Sequence, residues 1–207
     1  MVAHRTSIIA GEGWPYLIAL GVAGALVYGY VGPLWATPIV LATLLLFFLF
    51  RDPGRDVPPE PLAVIAPVDG TVIEVRPCHD GLVPGEWLRV AIKTNHMGTY
   101  TVRGPIEGSV QSIGGMIERP DDAALPDGMW LRSEEAHDVV LMFPRRYRLF
   151  GPKAFVRYGE RVGQGQRFAY LRLAPRAEVY LPIASSARVA SGDTVRAGET
   201  ILADLPA

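Results

Sequence analysis

The pattern of hydrophobic and polar positions divides the chain into two unlike parts. In the first, residues 13–50 form a run of 38 residues without Asp, Glu, Lys, Arg or His. One helix of that length would measure about 57 Å at roughly 1.5 Å per residue, against a hydrocarbon core of about 30 Å, so the run must turn back. Gly32-Pro33 can form the turn, because proline removes a helical donor and glycine permits unusual backbone angles. The pattern predicts helices over about 13–31 and 34–50.

We expect these helices to form a transmembrane hairpin, residues 1–50, with both of its ends in the cytoplasm. Arg5 precedes the first leg, two arginines follow the second, and the tip carries no charge. The positive-inside rule then places the rest of the chain on the cytoplasmic side of the cell inner membrane or plasma membrane. Two alternatives stay open: a shallow re-entrant hairpin, which the internal Pro15 and Pro38 would suit, and a helical pair buried in a soluble core.

The second part, residues 51–207, consists of short apolar runs separated by glycine and proline. Such runs predict strands. They are Ala63–Ile65, Thr71–Val75, Leu88–Ile92, Val139–Phe143 and Phe168–Leu173. Two turn sequences each occur twice, GERVGQG at 159–165 with GDTVRAG at 192–198, and PVDGTV at 67–72 with PIEGSV at 105–110. Since an acidic residue beside glycine is typical of tight turns, we predict a mainly β, pseudo-symmetric sandwich or barrel with these repeats as its corners.

Composition and charge exclude several classes of protein. A net charge of −1 and a pI of about 6.4 give no global basic field, so we expect no nucleic-acid partner. The single cysteine, Cys78, excludes an intramolecular disulfide and a four-cysteine zinc site. Charge is nevertheless segregated, because residues 145–176 carry nine Lys or Arg and only one acid, Glu160. This basic run either faces anionic lipid head groups or is a set of solvated strand faces.

Five motifs in a fixed order carry a resemblance to a known family. They are FFLFRDPGR at 47–55, APVDG at 66–70, GQRF at 165–168, RAEVYLP at 176–182 and GDTVRAGET at 192–200. In these motifs the chain resembles the short, membrane-anchored phosphatidylserine decarboxylases of bacteria and archaea, from the hairpin to the C-terminus. The resemblance implies a lyase-family fold and a role in phosphatidylethanolamine metabolism.

The resemblance also implies a particular chemistry. Members of the family cut their own backbone at a Gly-Ser bond, when the Ser hydroxyl attacks the preceding carbonyl and elimination leaves an N-terminal pyruvoyl group. That ketone forms a Schiff base with the substrate amine and acts as the electron sink for decarboxylation. An Asp in the P-x-D-G turn and a His in a D-x-H segment are thought to activate the Ser.

Matched residue by residue, this chain keeps one of those three groups. Asp69 occupies the Asp position, but Tyr100 occupies the His position, and Ala174-Pro175 stands at the Gly-Ser cleavage pair. The Asn-Glu-Arg segment of the family is replaced as well, by SEEAHD at 133–138. Proline has no nucleophilic side chain, so we expect no pyruvoyl group, no other cofactor and no metal. The chain is therefore predicted to be a non-catalytic member that binds phospholipid or a partner.

Other roles and residues remain open at this point. An active lipid enzyme with altered, pyruvoyl-independent chemistry could use Asp69, Tyr100 or His96, and a purely structural membrane adaptor is a further alternative. The expected partners are a phospholipid membrane and either an active homologous decarboxylase or a second copy of the chain. The candidates for binding a lipid head group are Arg103, Arg167 and Arg176.

Overall fold

The computed structural model describes residues 13–51, 53–79, 85–95, 98–99, 101–113, 128–144, 153–171 and 174–206. The chain divides into two compact units, Met1–Gly54 and Arg55–Ala207. In the first unit, helices α1 (Trp14–Tyr30) and α2 (Pro33–Leu49) have apolar residues around their whole circumference. Gly32, at a φ of 115°, provides the turn between them.

The prediction that this hairpin is transmembrane is wrong. Among the described residues, no helix combines the length and the apolar character needed to cross a membrane. Each helix has 17 residues, which corresponds to about 26 Å against a hydrocarbon core of about 30 Å. The uncharged run is longer than the two α-helices together, because Gly13, Val31, Gly32 and Phe50 lie outside them.

The second unit is mainly β, as the short apolar runs predict. Its strands in the described part of the chain are β1 (Ala63–Ile65), β2 (Gly70–Cys78), β3 (Trp87–Thr94), β4 (Thr101–Arg103), β5 (Gly108–Ile113), β6 (Gly128–Arg132), β7 (Asp138–Met142), β8 (Lys153–Ala154), β9 (Arg161–Val162), β10 (Arg167–Tyr170), β11 (Arg176–Pro182), β12 (Ser186–Ala187), β13 (Thr194–Val195) and β14 (Ile201–Asp204). They form antiparallel sheets in the orders β1-β14-β12, β4-β10-β8 and β13-β2-β3-β11-β7-β6-β5-β9.

The repeated turn sequences occupy matched positions in the fold, which confirms them as structural corners. The matched N–H···O=C bonds are Gly159 to Val110 with Gly192 to Val72, Gly165 to Gly104 with Gly198 to Ala66, and Arg103 to Pro67 with Ile65 to Pro105. The four turn glycines have φ values of 78°, 72°, 101° and 79°. Positive φ suits glycine, so local turn chemistry fixes the same corner twice.

The main core lies on one face of the large sheet. Strands β3, β7 and β11 each direct alternate apolar residues into it, including Val90, Leu141 and Val179, which are fully buried. Strand β11 lies between β3 and β7 and pairs with β3 along its whole length, Arg176–Pro182. The segment that precedes β11, which holds the predicted cleavage pair, is therefore anchored to the centre of the sheet.

Candidate functional site

Asp69 lies in the turn between β1 and β2, and its carboxylate is the centre of a hydrogen-bonded cluster. Arg55 Nη2 is 3.1 Å from Oδ1 and 2.8 Å from Oδ2. Thr99 donates to Oδ2 from both its backbone N–H and its hydroxyl, each at 3.0 Å. The backbone N–H of Ala197 donates to Oδ1 at 2.8 Å. Both carboxylate oxygens are thus engaged, and the side chain is only 13% exposed.

Arg55 joins this cluster from the segment that precedes the β domain strands. Its side chain is 10% exposed, and its Nη1 also lies 3.5 Å from Oε1 of Glu199. Charge-assisted hydrogen bonds of this kind are stronger than neutral ones. In a buried site, removing one partner lowers the stability of the fold strongly, because the other charge is left uncompensated. Asp69 therefore ties together its own turn, the chain before β1 and the repeat turn before β14.

The segment that carries the family His position approaches Asp69 closely. A Cβ atom on Gly98 would lie 2.8 Å from Asp69 Cβ and 3.1 Å from Asp69 Oδ2, so a larger residue there would push the segment away. Tyr100, which holds the His position itself, lies outside the described residues, as does His96. In this segment it is Thr99, the residue before the His position, that donates hydrogen bonds to the Asp69 carboxylate.

The predicted cleavage pair is held at its two carbonyls by one residue. Thr94 Oγ1 donates to the carbonyl of Ala174 at 2.7 Å, and the Thr94 backbone N–H donates to the carbonyl of Pro175 at 3.1 Å. The next residue, Asn95, donates its backbone N–H to the Asp69 carbonyl at 2.9 Å. The end of β3 therefore brings Asp69 and the cleavage pair into one neighbourhood.

The three candidate head-group arginines do not form one cluster. Arg103 and Arg167 are cross-strand partners in the β4–β10 pair, and Arg103 donates from Nη1 to the carbonyl of Gly165 at 3.1 Å. Arg176 lies in the large sheet instead, where its guanidinium forms an ion pair with the buried Glu178. The structure brings the first two together and leaves the third elsewhere.

Part of the predicted basic run is neutralised by acids. Arg161 forms ion pairs with Glu134 and, at 3.7 Å, with Glu107, so its charge is shared. Residues 145–152 and 172–173 of that run lie outside the described part of the chain.

A second polar cluster lies on the face of the large sheet opposite the main core. Arg89 is 8% exposed and Glu178 is 4% exposed, and the Tyr180 hydroxyl donates to Glu178 Oε2 at 2.7 Å. Arg89 also forms an ion pair with Glu74 in β2. The hydrogen bond from Arg89 lowers the pKa of the Glu74 carboxyl below its ordinary value of 4.5.

The residue at position 175 decides whether the chain could carry the pyruvoyl group that the family resemblance implies. Pro175 carries no hydroxyl, so the residues at the cleavage position do not fit formation of a pyruvoyl group. Among the described residues, no three or more His, Cys, Asp or Glu are arranged to hold a metal ion.

Sequence reasoning did not identify three of the residues that build this site. Arg55 enters the sequence prediction only as a charge that flanks the hairpin, Thr99 only as the middle residue of the segment that matches D-x-H, and no motif marks Thr94. A small residue beside a candidate site position, Gly98, was the available signal that the chain approaches something closely there.

Comparison with known proteins places this mainly β architecture in a defined group of proteins. No family model matches the chain. It is 33% identical over 205 residues to the phosphatidylserine decarboxylase proenzyme of Nitrosomonas europaea, and the match covers 95% of each chain. It is 32% identical over 207 residues to the proenzyme of that name from Burkholderia mallei, covering 96% of each. Among solved structures, the glucose permease IIA from Mycoplasma capricolum aligns at 15% identity and a TM-score of 0.48, covering 69% of this chain and 94% of that one.

Two near-complete matches above 30% identity decide the assignment. The chain belongs to the phosphatidylserine decarboxylase family.

Proposed function

We propose that the chain is a non-catalytic member of this family that acts in phospholipid metabolism by binding phospholipid or a protein partner. The observation that carries the proposal is Pro175 at the cleavage position, with its carbonyl and that of Ala174 both held by Thr94. Relatives named phosphatidylserine decarboxylase proenzyme support the connection to phospholipid. The protein partners consistent with the proposal are an active homologous decarboxylase and a second copy of this chain.

The environment of Asp69 supports the same proposal. Backbone cleavage by a side-chain hydroxyl needs a group that takes the hydroxyl proton, and an acid commonly orients that group. Here the Asp69 carboxylate already accepts hydrogen bonds from Arg55, Thr99 and Ala197. These contacts give Asp69 a structural role that does not depend on a neighbouring base.

The direct experiment is the intact mass of the unaltered protein under denaturing conditions, together with a decarboxylation assay on phosphatidylserine. We expect one chain of 22.5 kDa and no release of carbon dioxide. The proenzyme from Nitrosomonas europaea, prepared and assayed in parallel, is the positive control for the assay conditions. A chain split near residue 174, or turnover by the uncut chain, overturns the proposal.

We further propose that the helical hairpin contacts the phospholipid surface of the inner membrane, with the β unit in the cytoplasm. Its exposed side chains support this, because aromatic residues lie near both ends of the helices and aliphatic ones between them. The exposed aromatic residues of the two helices are Trp14, Tyr16, Tyr28, Tyr30, Trp35 and Phe47. An apolar groove between the helices adds to the apolar surface.

Flotation with phospholipid vesicles tests this contact. Replacing two exposed leucines, Leu41→Glu with Leu45→Glu, should abolish flotation of the full-length chain, because charged side chains enter lipid at high cost. The matched control is Tyr158→Glu, which alters an exposed residue of the β unit. Binding carried by the hairpin should persist at high salt and on neutral vesicles, whereas binding lost in either condition indicates the basic run instead.

A further inference from the structure

The hydrogen bond between Thr94 and Ala174 lies on the one peptide bond that the family chemistry concerns. Thr94 Oγ1 is 2.7 Å from the carbonyl oxygen of Ala174, and both residues are buried, Thr94 at 5% and Ala174 at 8% exposure. This carbonyl belongs to the Ala174–Pro175 peptide, at the family cleavage position. In a relative with serine at the second position, it is the carbonyl that the hydroxyl attacks.

Backbone contacts fix both partners of this hydrogen bond. Thr94 is the last residue of β3, and its N–H is committed to the carbonyl of Pro175 at 3.1 Å. On the other side, the N–H of Ala174 donates to the carbonyl of Leu171 at 3.4 Å, and β11 begins at Arg176. The hydroxyl and the carbonyl are therefore aligned by the strands, without a rearrangement of either residue.

We propose that Thr94 is a positioning residue that holds and polarises the carbonyl of residue 174. A buried donor on a carbonyl stabilises the negative charge that develops on its oxygen during nucleophilic attack. The chain then keeps the polarised carbonyl of a backbone-cleavage site, although Pro175 provides no hydroxyl to attack it. This inference rests on the proposed function only in taking residues 174–175 as the cleavage position.

The polarisation can be measured in the unaltered, uncut chain. Ala-Pro occurs twice in the sequence, at Ala66-Pro67 and Ala174-Pro175. Labelling alanine carbonyls with ¹³C and proline nitrogens with ¹⁵N therefore gives two correlations in a carbon-detected CO–N spectrum, one of which is an internal reference. Thr94→Val, which keeps the shape and removes the donor, should move the Ala174 carbonyl signal upfield and leave Ala66 in place. Thr94→Ser should keep the original shift.

The chemical consequence needs a nucleophile, which a triple variant provides. It combines Ala174→Gly and Pro175→Ser with Tyr100→His, because an imidazole accepts a proton near neutral pH and a phenol of pKa about 10 does not. The hydroxyl oxygen at position 175 bonds to the carbonyl carbon of residue 174, and the carbon–nitrogen bond between the two residues breaks. The hydroxyl proton ends on the nitrogen of residue 175, and an ester remains.

Hydroxylamine reports this ester. It displaces the ester oxygen, which takes up a proton, and it releases residues 1–174 as a hydroxamate that denaturing mass spectrometry identifies. The sequence has no Asn-Gly pair, the other bond that hydroxylamine cuts, so background cleavage is low. We expect Thr94→Val in the triple variant to slow fragment formation on the order of 10²-fold, and Thr94→Ser to retain it.

Each result decides the inference. An unchanged Ala174 carbonyl signal in Thr94→Val overturns it, as does equal cleavage of the triple variant with and without the Thr94 hydroxyl. If the triple variant stays uncut, the Ala174 carbonyl signal in Thr94→Val alone decides the inference. Failure of the proposed function is a separate observation, since it concerns cleavage or decarboxylation by the unaltered chain.

Discussion

The two P-x-acid-Gly turns, at 67–70 and 105–108, have matching backbone contacts but differ in the groups that surround the acidic side chain. In both, the glycine is required by the facing strand: a Cβ on Gly70 would lie 2.1 Å from the carbonyl oxygen of Lys93, and one on Gly108 would lie 2.3 Å from that of Arg132. The two acidic side chains differ in their exposure and in their contacts. Asp69 is 13% exposed and bound on both oxygens, whereas Glu107 is 67% exposed and lies 3.7 Å from Arg161.

The difference shows which residues build the site around Asp69. The repeat builds the scaffold of both turns, but the groups that surround Asp69 lie outside the P-x-acid-Gly repeat, on Arg55 and Thr99, and have no counterpart at Glu107 among the described contacts. One copy of the repeated corner is thus part of a buried charged cluster, and the other is a surface turn.

The largest expected effect separates the two acids. Asp69→Ala removes the closer carboxylate partner of the buried Arg55 guanidinium, so the free energy of unfolding should fall by about 3 kcal/mol or more. The matched Glu107→Ala removes an exposed pair and should change it by less than about 0.5 kcal/mol. Urea unfolding followed by circular dichroism measures both. Similar losses in the two variants would contradict the contrast between a buried cluster and a surface turn.

The next effect should be equal in the two turns. Gly70→Ala and Gly108→Ala each force a methyl group against a backbone carbonyl, which should cost roughly 2–3 kcal/mol of unfolding free energy in either case. The same unfolding curves provide the values. If only Gly70→Ala is costly, the corners are not structurally equivalent.

A smaller effect tests the contribution of Thr99 to the cluster. Thr99→Val removes a hydroxyl that donates to the Asp69 carboxylate, so we expect a loss of about 1.5 kcal/mol, most of which Thr99→Ser should recover. Thr71→Val, at an exposed position of β2, is the control and should be close to neutral. A neutral Thr99→Val variant would show that Arg55 and the backbone donors hold the carboxylate without the Thr99 hydroxyl.

The smallest effect concerns the dependence of stability on pH. The pKa of Glu74 is lowered, first by its hydrogen bond from Arg89, so its contribution to stability is complete above pH 4.5 and is lost as pH falls through the folded-state value. Glu74→Gln should remove that part of the loss of stability at acidic pH. Unfolding curves between neutral and acidic pH provide the comparison, and identical acid limbs in the unaltered chain and Glu74→Gln would count against it.

Local chemistry explains which predictions from sequence succeed. The repeated corners follow from glycine and acidic residues in short turns, and the strand at Ala63–Ile65 is found at its predicted bounds. The transmembrane prediction failed because the uncharged run also contains residues that the fold places in the turn and outside the ends of the α-helices. The partners of Asp69 are long-range contacts, with Arg55 14 positions away and Ala197 128 positions away, and no periodicity marks them.

The central place of β11 has a consequence for how a cut chain would behave. A break between residues 174 and 175 would leave the C-terminal piece hydrogen-bonded to β3 and β7, while β13 stays on β2 and β14 stays on β1. Separation by size under native conditions would then report one particle whether or not the backbone is continuous. For the same reason, residues 1–174 and 175–207, supplied as separate chains, should assemble by fragment complementation. The hydrogen bonds of β11 with β3 and β7 would hold the two fragments together.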